Sequence, residues 1–185
     1  PKIKDVIKGE IQDAPKNRKY GLILRGLLKL RQSCLWQPTE IKPHDGHEHH
    51  LHAAGKLSSK IHFLLSQLEQ IIQEGHQVLI FSQFTSYLDL IQQEITARHW
   101  KYSRIDGSYN VNKRQKEIKK FQESETQVFL ISLKAGGVGL NLTAANYVFI
   151  MDPWWNPAVE NQAIDRAYRI GQEKKVTVYR PLIQG

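Results

Sequence analysis

The 185-residue chain is 41% hydrophobic with a net charge of +8, enough apolar content for a packed core and a basic balance that suits a polyanionic partner. Its single cysteine, Cys34, excludes an internal disulfide and a cysteine-based zinc site and fits a reducing intracellular compartment. No apolar run approaches the length of a bilayer span and no signal peptide is recognisable, so no membrane partner is expected. The chain starts in mid-pattern at Pro1 and ends on a strand-like run, and so reads as a piece of a longer protein.

Residues 1–35 hold nine Lys/Arg against three Asp/Glu, and residues 101–121 seven against two, so the basic surface is concentrated in two places. Pro1 to Asn17 is polar, with helix-like spacing of Ile3, Val6, Ile7 and Ile11. From Arg18 onward, Ile23, Leu24, Leu27, Leu28, Leu30 and Leu35 predict a helix with a broad apolar side. Thr39 to Gly55 reads as a loop. It contains His44, His47, His49, His50 and His52, and His-rich tracts can bind metal. An ordered zinc site wants a closed ligand set in fixed geometry, which this stretch does not offer, so it is read as solvated and no metal site is assigned. The expected division is a helical segment with a His-rich loop over residues 1–55 and an α/β domain over 56–185.

Lys56 to Glu74 is strongly amphipathic, with Leu57, Ile61, Leu64, Leu65, Leu68, Ile71 and Ile72 at helical spacing and Gly75 as its stop. Gln77 to Phe81 predicts a buried strand, and Ser82-Gln83-Phe84-Thr85 leads into a helix over Ser86 to Arg98. Small polar residues between a strand end and a helix start either form a phosphate site or merely cap the helix through Ser82 or Thr85. Tyr102 to Ile105 is a short strand ended by Asp106-Gly107-Ser108. A helix over Asn112 to Gln122 follows, whose Lys113, Arg114, Lys116, Lys119 and Lys120 read by themselves as a solvated face.

Val128 to Ser132 is a strand buried on both faces. Lys134 to Asn141 follows it, with glycines at 136, 137 and 139 that let the backbone approach a ligand, or simply make a tight strand exit. The run is neither a Walker loop nor a dinucleotide fingerprint. After the strand Tyr147 to Met151, Asp152-Pro153-Trp154-Trp155-Asn156-Pro157 breaks the chain. Asn156 as N-cap and Pro157 as first helical residue predict a helix to about Ile170, stopped by Gly171. Gln162, Asp165, Arg166 and Arg169 then share one face and Ala163, Ala167 and Ile170 another. The arginine pair suits a phosphate, or complements the dipole at the helix end. A last strand spans Val176 to Ile183, at the sheet edge or closing the domain. The strand–helix alternation implies βαβ units and an α/β fold with a mainly parallel sheet, whose ligands bind at the C-terminal ends of the strands.

Three blocks narrow the reading. Gln162–Gln172 (QAIDRAYRIGQ) resembles motif VI of the Snf-type (Swi/Snf) helicase-like ATPases of superfamily two. Leu133–Leu142 (LKAGGVGLNL) resembles their motif V, and Asp152–Ala158 (DPWWNPA) the block between the two, in the family's order and close to its spacing. Val78–Phe84 (VLIFSQF) resembles motif IV, and Ile105–Ser108 (IDGS) followed by Arg114 the pattern after it. Leu27–Pro38 (LLKLRQSCLWQP) resembles the helical segment joining the two motor lobes, with Leu35-Trp36-Gln37-Pro38 in place of a cysteine-rich, His-Pro ending. Tyr168 stands where the family usually has His; both arginines are in place.

The resemblance implies a RecA-like three-layer lobe with a mainly parallel sheet plus an N-terminal helical appendage: the second motor lobe of an ATP-dependent double-stranded DNA translocase that remodels protein–DNA complexes. In that family Arg166 and Arg169 act as arginine fingers. Gly139 lies near the nucleotide, and Gln162 and Asp165 position the arginines. Ser82, Gln83, Gly107, Ser108, Lys134 and Gly136 lie at DNA, with Arg114 as a buttress; Trp155 contacts DNA, or packs in the core. The implied partners are double-stranded DNA, the N-terminal RecA-like lobe of the same protein and DNA-bound proteins. The cofactor is ATP, with Mg2+ held by the first lobe. Because GxxxxGK[ST] and an Asp-Glu box are missing from these residues, the chain alone is expected not to hydrolyse ATP. Uninterrupted spacing between motifs V and VI fits a compact bacterial or archaeal member; the expected location is cytoplasm or nucleoid there, and the nucleus in a eukaryote. Two other readings stand beside this one: a non-catalytic nucleic-acid-binding module, which has no need of the arginine pair, and an RNA helicase lobe, which the WWNP and RIGQ blocks do not fit.

Overall fold

A computed structural model describes Gly9, Ile11 and residues 15–35, 57–133, 135, 140–152, 157–165, 167 and 175–182. The chain divides into two compact units, Pro1–Ser58 and Ser59–Gly185. The first contains helix α1 (Lys16–Ser33), which begins after Pro15 in extended conformation and carries Arg31 in its last turn, where a cation complements the helix dipole. Tyr20, Ile23, Leu24 and Leu28 of α1 are exposed. Among the described residues no helix is long and apolar enough to cross a membrane.

The second unit alternates helices α2 (Ser59–Gln73), α3 (Thr85–Ala97), α4 (Val111–Gln122) and α5 (Pro157–Ile164) with strands β1 (Val78–Ser82), β2 (Tyr102–Ile105), β3 (Val128–Ser132), β4 (Tyr147–Ile150) and β5 (Thr177–Tyr179). The strands form one sheet in the order β2-β3-β1-β4-β5, and every pairing is parallel. β1 and β3 are buried at every position, as a parallel sheet covered on both faces requires. β2 and β5 form the edges.

Successive strand residues point to opposite faces, so the sheet sorts its own core. Leu79, Phe81, Phe129, Ile131, Val148 and Ile150 join Phe121 of α4 and Ala167 in one cluster, with Ile118 and Ile164 against it. On the other face Tyr179 stacks on Phe149 at 4.6 Å between ring centroids and meets Phe63 of α2 edge-on at 6.1 Å. The buried stripes Ile61, Leu64, Leu65, Leu68 and Ile71 of α2 and Tyr87, Leu88, Ile91 and Ile95 of α3 follow the 3.6-residue period of the sequence.

Three helices end in the same way. At the end of α2, His76 N donates to Ile71 O and Gly75 N to Ile72 O, both at 3.0 Å, with Gly75 at φ +75°. This is a Schellman ending, and the expected glycine supplies its left-handed residue. α3 and α4 repeat the motif with His99 (φ 57°) and Ser124 (φ 59°), where side chains occupy a conformation that glycine adopts more readily. Asn110 caps α4, its side chain accepting from Lys113 N at 2.9 Å.

Two elements differ from expectation. The last strand, predicted over Val176 to Ile183, spans Thr177–Tyr179, and Arg180, Pro181 and Leu182 are not part of it. In the helix predicted to reach about Ile170, Pro157–Ile164 is α-helical, and Asp165 and Ala167 are in turn conformation. Asp165 N still donates to Asn161 O at 2.8 Å, but Ala167 N donates to Ile164 O at 3.0 Å, three residues back, so the spiral tightens as Ala167 enters the core. Arg166, Tyr168, Arg169 and Ile170 lie outside the described residues.

Candidate nucleic-acid interface

The parallel order brings the ends of β1, β2, β3 and β4 to one edge, and each end carries a polar group. At the end of β1 the Ser82 side chain is buried: its Oγ accepts from Phe84 N at 3.1 Å and so closes the turn into α3. Neither Ser82 nor Thr85 caps that helix; Phe84 occupies the N-cap position with no side-chain cap bond. Ser82 pairs in register with Ser132 of β3, itself buried, so two hydroxyl residues lie side by side where the strands end.

Gln83 is half-buried. Its main-chain N–H donates to Oδ2 and Oδ1 of Asp152 at 3.1 and 3.3 Å. Its side-chain Nε2 is shielded from solvent with no hydrogen-bond partner among the described residues. Asp152 follows β4 and is buried, so its carboxylate draws the β1 exit toward the β4 exit. Beside it Lys60 of α2, also buried, donates from Nζ to Met151 O at 3.0 Å. A buried ammonium and a buried carboxylate are each tolerable only when hydrogen-bonded.

At the end of β2, Asp106 builds the second turn. Its Oδ1 accepts from Ser108 N at 3.0 Å and from Ser108 Oγ at 2.6 Å, and its Oδ2 accepts from Arg104 Nε at 3.1 Å. Burial alone would raise the Asp106 pKa; the two Ser108 hydrogen bonds and the Arg104 charge outweigh it and hold the carboxyl below its ordinary value. Arg104 reaches further, donating from Nη1 to Asp89 Oδ1 at 2.5 Å and to Gln92 Oε1 at 2.8 Å, both on α3. One guanidinium therefore joins the second turn to the helix that starts at the first. Gly107 and Ser108 are left exposed on the outside of the turn. Arg114 is half-buried; its Nε donates to Tyr109 O at 2.9 Å, and Nη2 lies 3.5 Å from Asp106 O. Lys113 Nζ sits 3.9 Å from the centroid of the Tyr109 ring.

Of the residues singled out in the sequence, the structure therefore brings Ser82, Gln83, Gly107, Ser108 and Arg114 to the edge where the strands end. Gln162 and Asp165 are exposed at the end of α5. Lys134, Gly136, Gly139, Trp155, Arg166 and Arg169 lie outside the described residues, as do His44, His47, His49, His50 and His52. Among the described residues no group of three or more His, Cys, Asp or Glu could hold a metal ion. Sequence reasoning passed over Asp152, Arg104 and Lys60. Asp152 had a legible signal, an acid at a strand end on the ligand edge; the Arg104 and Lys60 partners are set only by folding.

Residues 59–171 match the helicase conserved C-terminal domain family. The fold aligns with the SWI2/SNF2 ATPase C-terminal domain of Sulfolobus solfataricus at a TM-score of 0.69 and 30% identity, over 86% of this chain and 67% of that one. The chain belongs to this family, as a C-terminal lobe of the Snf type. The Snf-type lobe is also similar to the Sulfolobus solfataricus SWI2/SNF2 ATPase core in complex with double-stranded DNA, with a TM-score of 0.74 and 28% identity over 96% of this chain and 36% of that one. It is 52% identical over 132 residues to the DNA repair protein RAD5 of Cryptococcus neoformans, covering 69% of this chain and 11% of that protein. The lobe thus spans about a tenth of the length of such relatives. Its five-stranded, all-parallel sheet is that of a RecA-like lobe.

Proposed function

We propose that this lobe is the second motor half of an ATP-dependent translocase on double-stranded DNA, which uses its motion to remodel DNA-bound proteins. The observation that carries the proposal is the convergence of two turns, the half-buried one at Gln83 and the exposed one at Gly107-Ser108, on the strand-end edge of a Snf-type lobe. Each turn is held from behind by a buried carboxylate. Small polar side chains at such an edge suit a phosphate backbone, which fixes position without reading sequence. The similarity to an ATPase core in complex with DNA supports the same partner.

In this reading Gln83, Gly107 and Ser108 face the duplex backbone, and Lys134, Gly136 and Trp155 add contacts from the motif V block and the segment after β4. Ser82 and Arg114 act from within, by shaping the turns. ATP binds between this lobe and the N-terminal lobe. Arg166 and Arg169 reach its γ-phosphate, with Gln162 and Asp165 steadying them and the Gly139 backbone alongside. Permanent positive charge supplied only on closure stabilises the charge of the transferring phosphoryl group and ties hydrolysis to lobe movement. Mg2+ would be held by the first lobe.

The test is ATP hydrolysis by the whole protein, with both lobes, measured without nucleic acid, with duplex DNA and with RNA, and repeated with Arg169→Ala. Stimulation by duplex DNA that the variant loses is the expected result. Stimulation by RNA alone would make the protein an RNA helicase. No hydrolysis by folded protein would leave a binding module.

A further inference from the structure

Helix α4 has a function-bearing segment at each end. At about 1.5 Å per residue its 12 residues form a rod roughly 18 Å long. Its N-terminal end is locked to the Asp106–Tyr109 turn by Arg114 Nε on Tyr109 O and capped by Asn110. Its C-terminal end is locked to a different place. The Gln122 side chain donates from Nε2 to Asn141 O at 2.8 Å and accepts at Oε1 from Ala144 N at 3.0 Å. Its carboxamide thus plays the part of a peptide group, filling a donor and an acceptor on a segment that belongs to no strand.

That segment is the exit of the Leu133–Leu142 block. Within it Ala145 N donates to Leu142 O at 3.2 Å, and Leu140, Leu142 and Ala145 lie in the core cluster with Phe121, the residue before Gln122. The backbone of Gln122 is fixed in turn, because Ser124 N and Glu125 N return to Phe121 O and Lys120 O at 3.1 and 2.9 Å. A shared apolar cluster and a two-point amide clamp thus tie the last turn of α4 to the block's exit.

We propose that Gln122 is a positioning residue. Through it, α4 transmits the placement of the DNA-facing Asp106–Tyr109 turn to the exit of the glycine-containing block at Asn141–Ala144. The inference rests on the function proposed above, because that reading makes the turn a DNA contact and the block the link to nucleotide. Gln122 touches neither ligand and acts only by where it holds the main chain.

The experiment uses the whole protein, wild type and with Gln122→Leu, Gln122→Glu and the control Gln115→Leu on the exposed side of the same helix. Amide hydrogen exchange over residues 141–145 is measured with and without duplex DNA, and DNA-stimulated ATP hydrolysis is measured on the same samples. Wild type and Gln115→Leu are expected to slow exchange at these amides when DNA binds. Gln122→Leu is expected to exchange fast in both conditions. Its stimulated kcat is expected to fall about 5- to 10-fold, the effect of two lost hydrogen bonds, with half-saturation by DNA within about twofold of wild type. Gln122→Glu keeps the acceptor for Ala144 N and is expected to fall between.

An unchanged kcat in Gln122→Leu, or a wild-type exchange pattern that ignores DNA, would overturn the inference. So would a fall in kcat no larger than the lost folded fraction measured on the same sample, which would make the clamp structural only. A wild type whose exchange responds to DNA but whose ATPase does not would overturn the translocase reading, and the exchange comparison would still decide the role of Gln122.

Discussion

The main-chain N–H of Gln83 donates to both carboxylate oxygens of Asp152, at 3.1 and 3.3 Å, across 69 residues of sequence. The bond joins the exits of the neighbouring strands β1 and β4, and its carboxylate is buried. Asp152→Ala removes a charged acceptor and leaves Gln83 N without it, a loss expected to cost about 1–3 kcal/mol. Asp152→Asn keeps one acceptor oxygen and is expected to lose less. Urea unfolding of both variants, with duplex titration at fixed salt, checks this; an unshifted midpoint in Asp152→Ala would make the bond dispensable.

Arg104 serves three acceptors with two nitrogens, and its side chain is only 11% exposed. Asp89 is 55% exposed on its side chain, so that ion pair contributes little, and the bond to the buried Asp106 matters more. A lysine ammonium cannot reproduce the planar fork. Arg104→Lys is therefore expected to destabilise nearly as much as Arg104→Met, each by about 1–3 kcal/mol. Recovery of wild-type stability by lysine would show that charge alone suffices.

Asp106 links stability to acid pH. Its folded pKa lies below the ordinary 3.8, so its contribution is complete above that unfolded value and is lost as pH falls through the lower folded one. Asp106→Asn is expected to flatten the acid limb of a stability–pH profile taken from about pH 5 to about pH 2, while changing its slope little at neutral pH. An acid limb of unaltered slope in the variant would remove Asp106 as its source.

The three left-handed helix endings differ in residue type and so in cost. His99, exposed at φ 57°, is expected to gain about 1 kcal/mol on His99→Gly, because glycine enters that region without a Cβ penalty. Gly75→Ala is expected to lose about as much through strain alone, since a Cβ there would meet nothing within 4 Å. Ser124→Gly is expected to gain less than His99→Gly, because Ser124 Oγ also donates to Gln77 Oε1 at 3.2 Å. Thermal midpoints of the three variants rank these expectations, and a lower midpoint for His99→Gly would refute the strain account.

The strands, the amphipathic helices α2 and α3 and the glycine stop at Gly75 were all legible in the sequence, and so was the family, through motifs contiguous along the chain. Alternation at period 2 or 3.6 and a single glycine are local properties: a few neighbouring residues determine them, and burial of the apolar face then follows. The left-handed ends at His99 and Ser124 were not legible, because nothing local marks an exposed side chain held at positive φ by the hydrogen bonds of a helix ending. The turn at Asp165 and Ala167 was not legible either: helical spacing continues through Ala167, which lies in the core cluster with its N–H on Ile164 O. The support of the strand-end edge was decided by tertiary structure alone. Lys60 meets Met151 across 91 residues, Gln83 meets Asp152 across 69 and Gln122 meets Asn141 across 19, and each partner is chosen by the strand order rather than by any pattern in the chain. Sequence carries the short-range physics of which segments bury which face; which buried carboxylate or carboxamide then holds which turn depends on the order in which parallel strands pair, and that is set by the core as a whole.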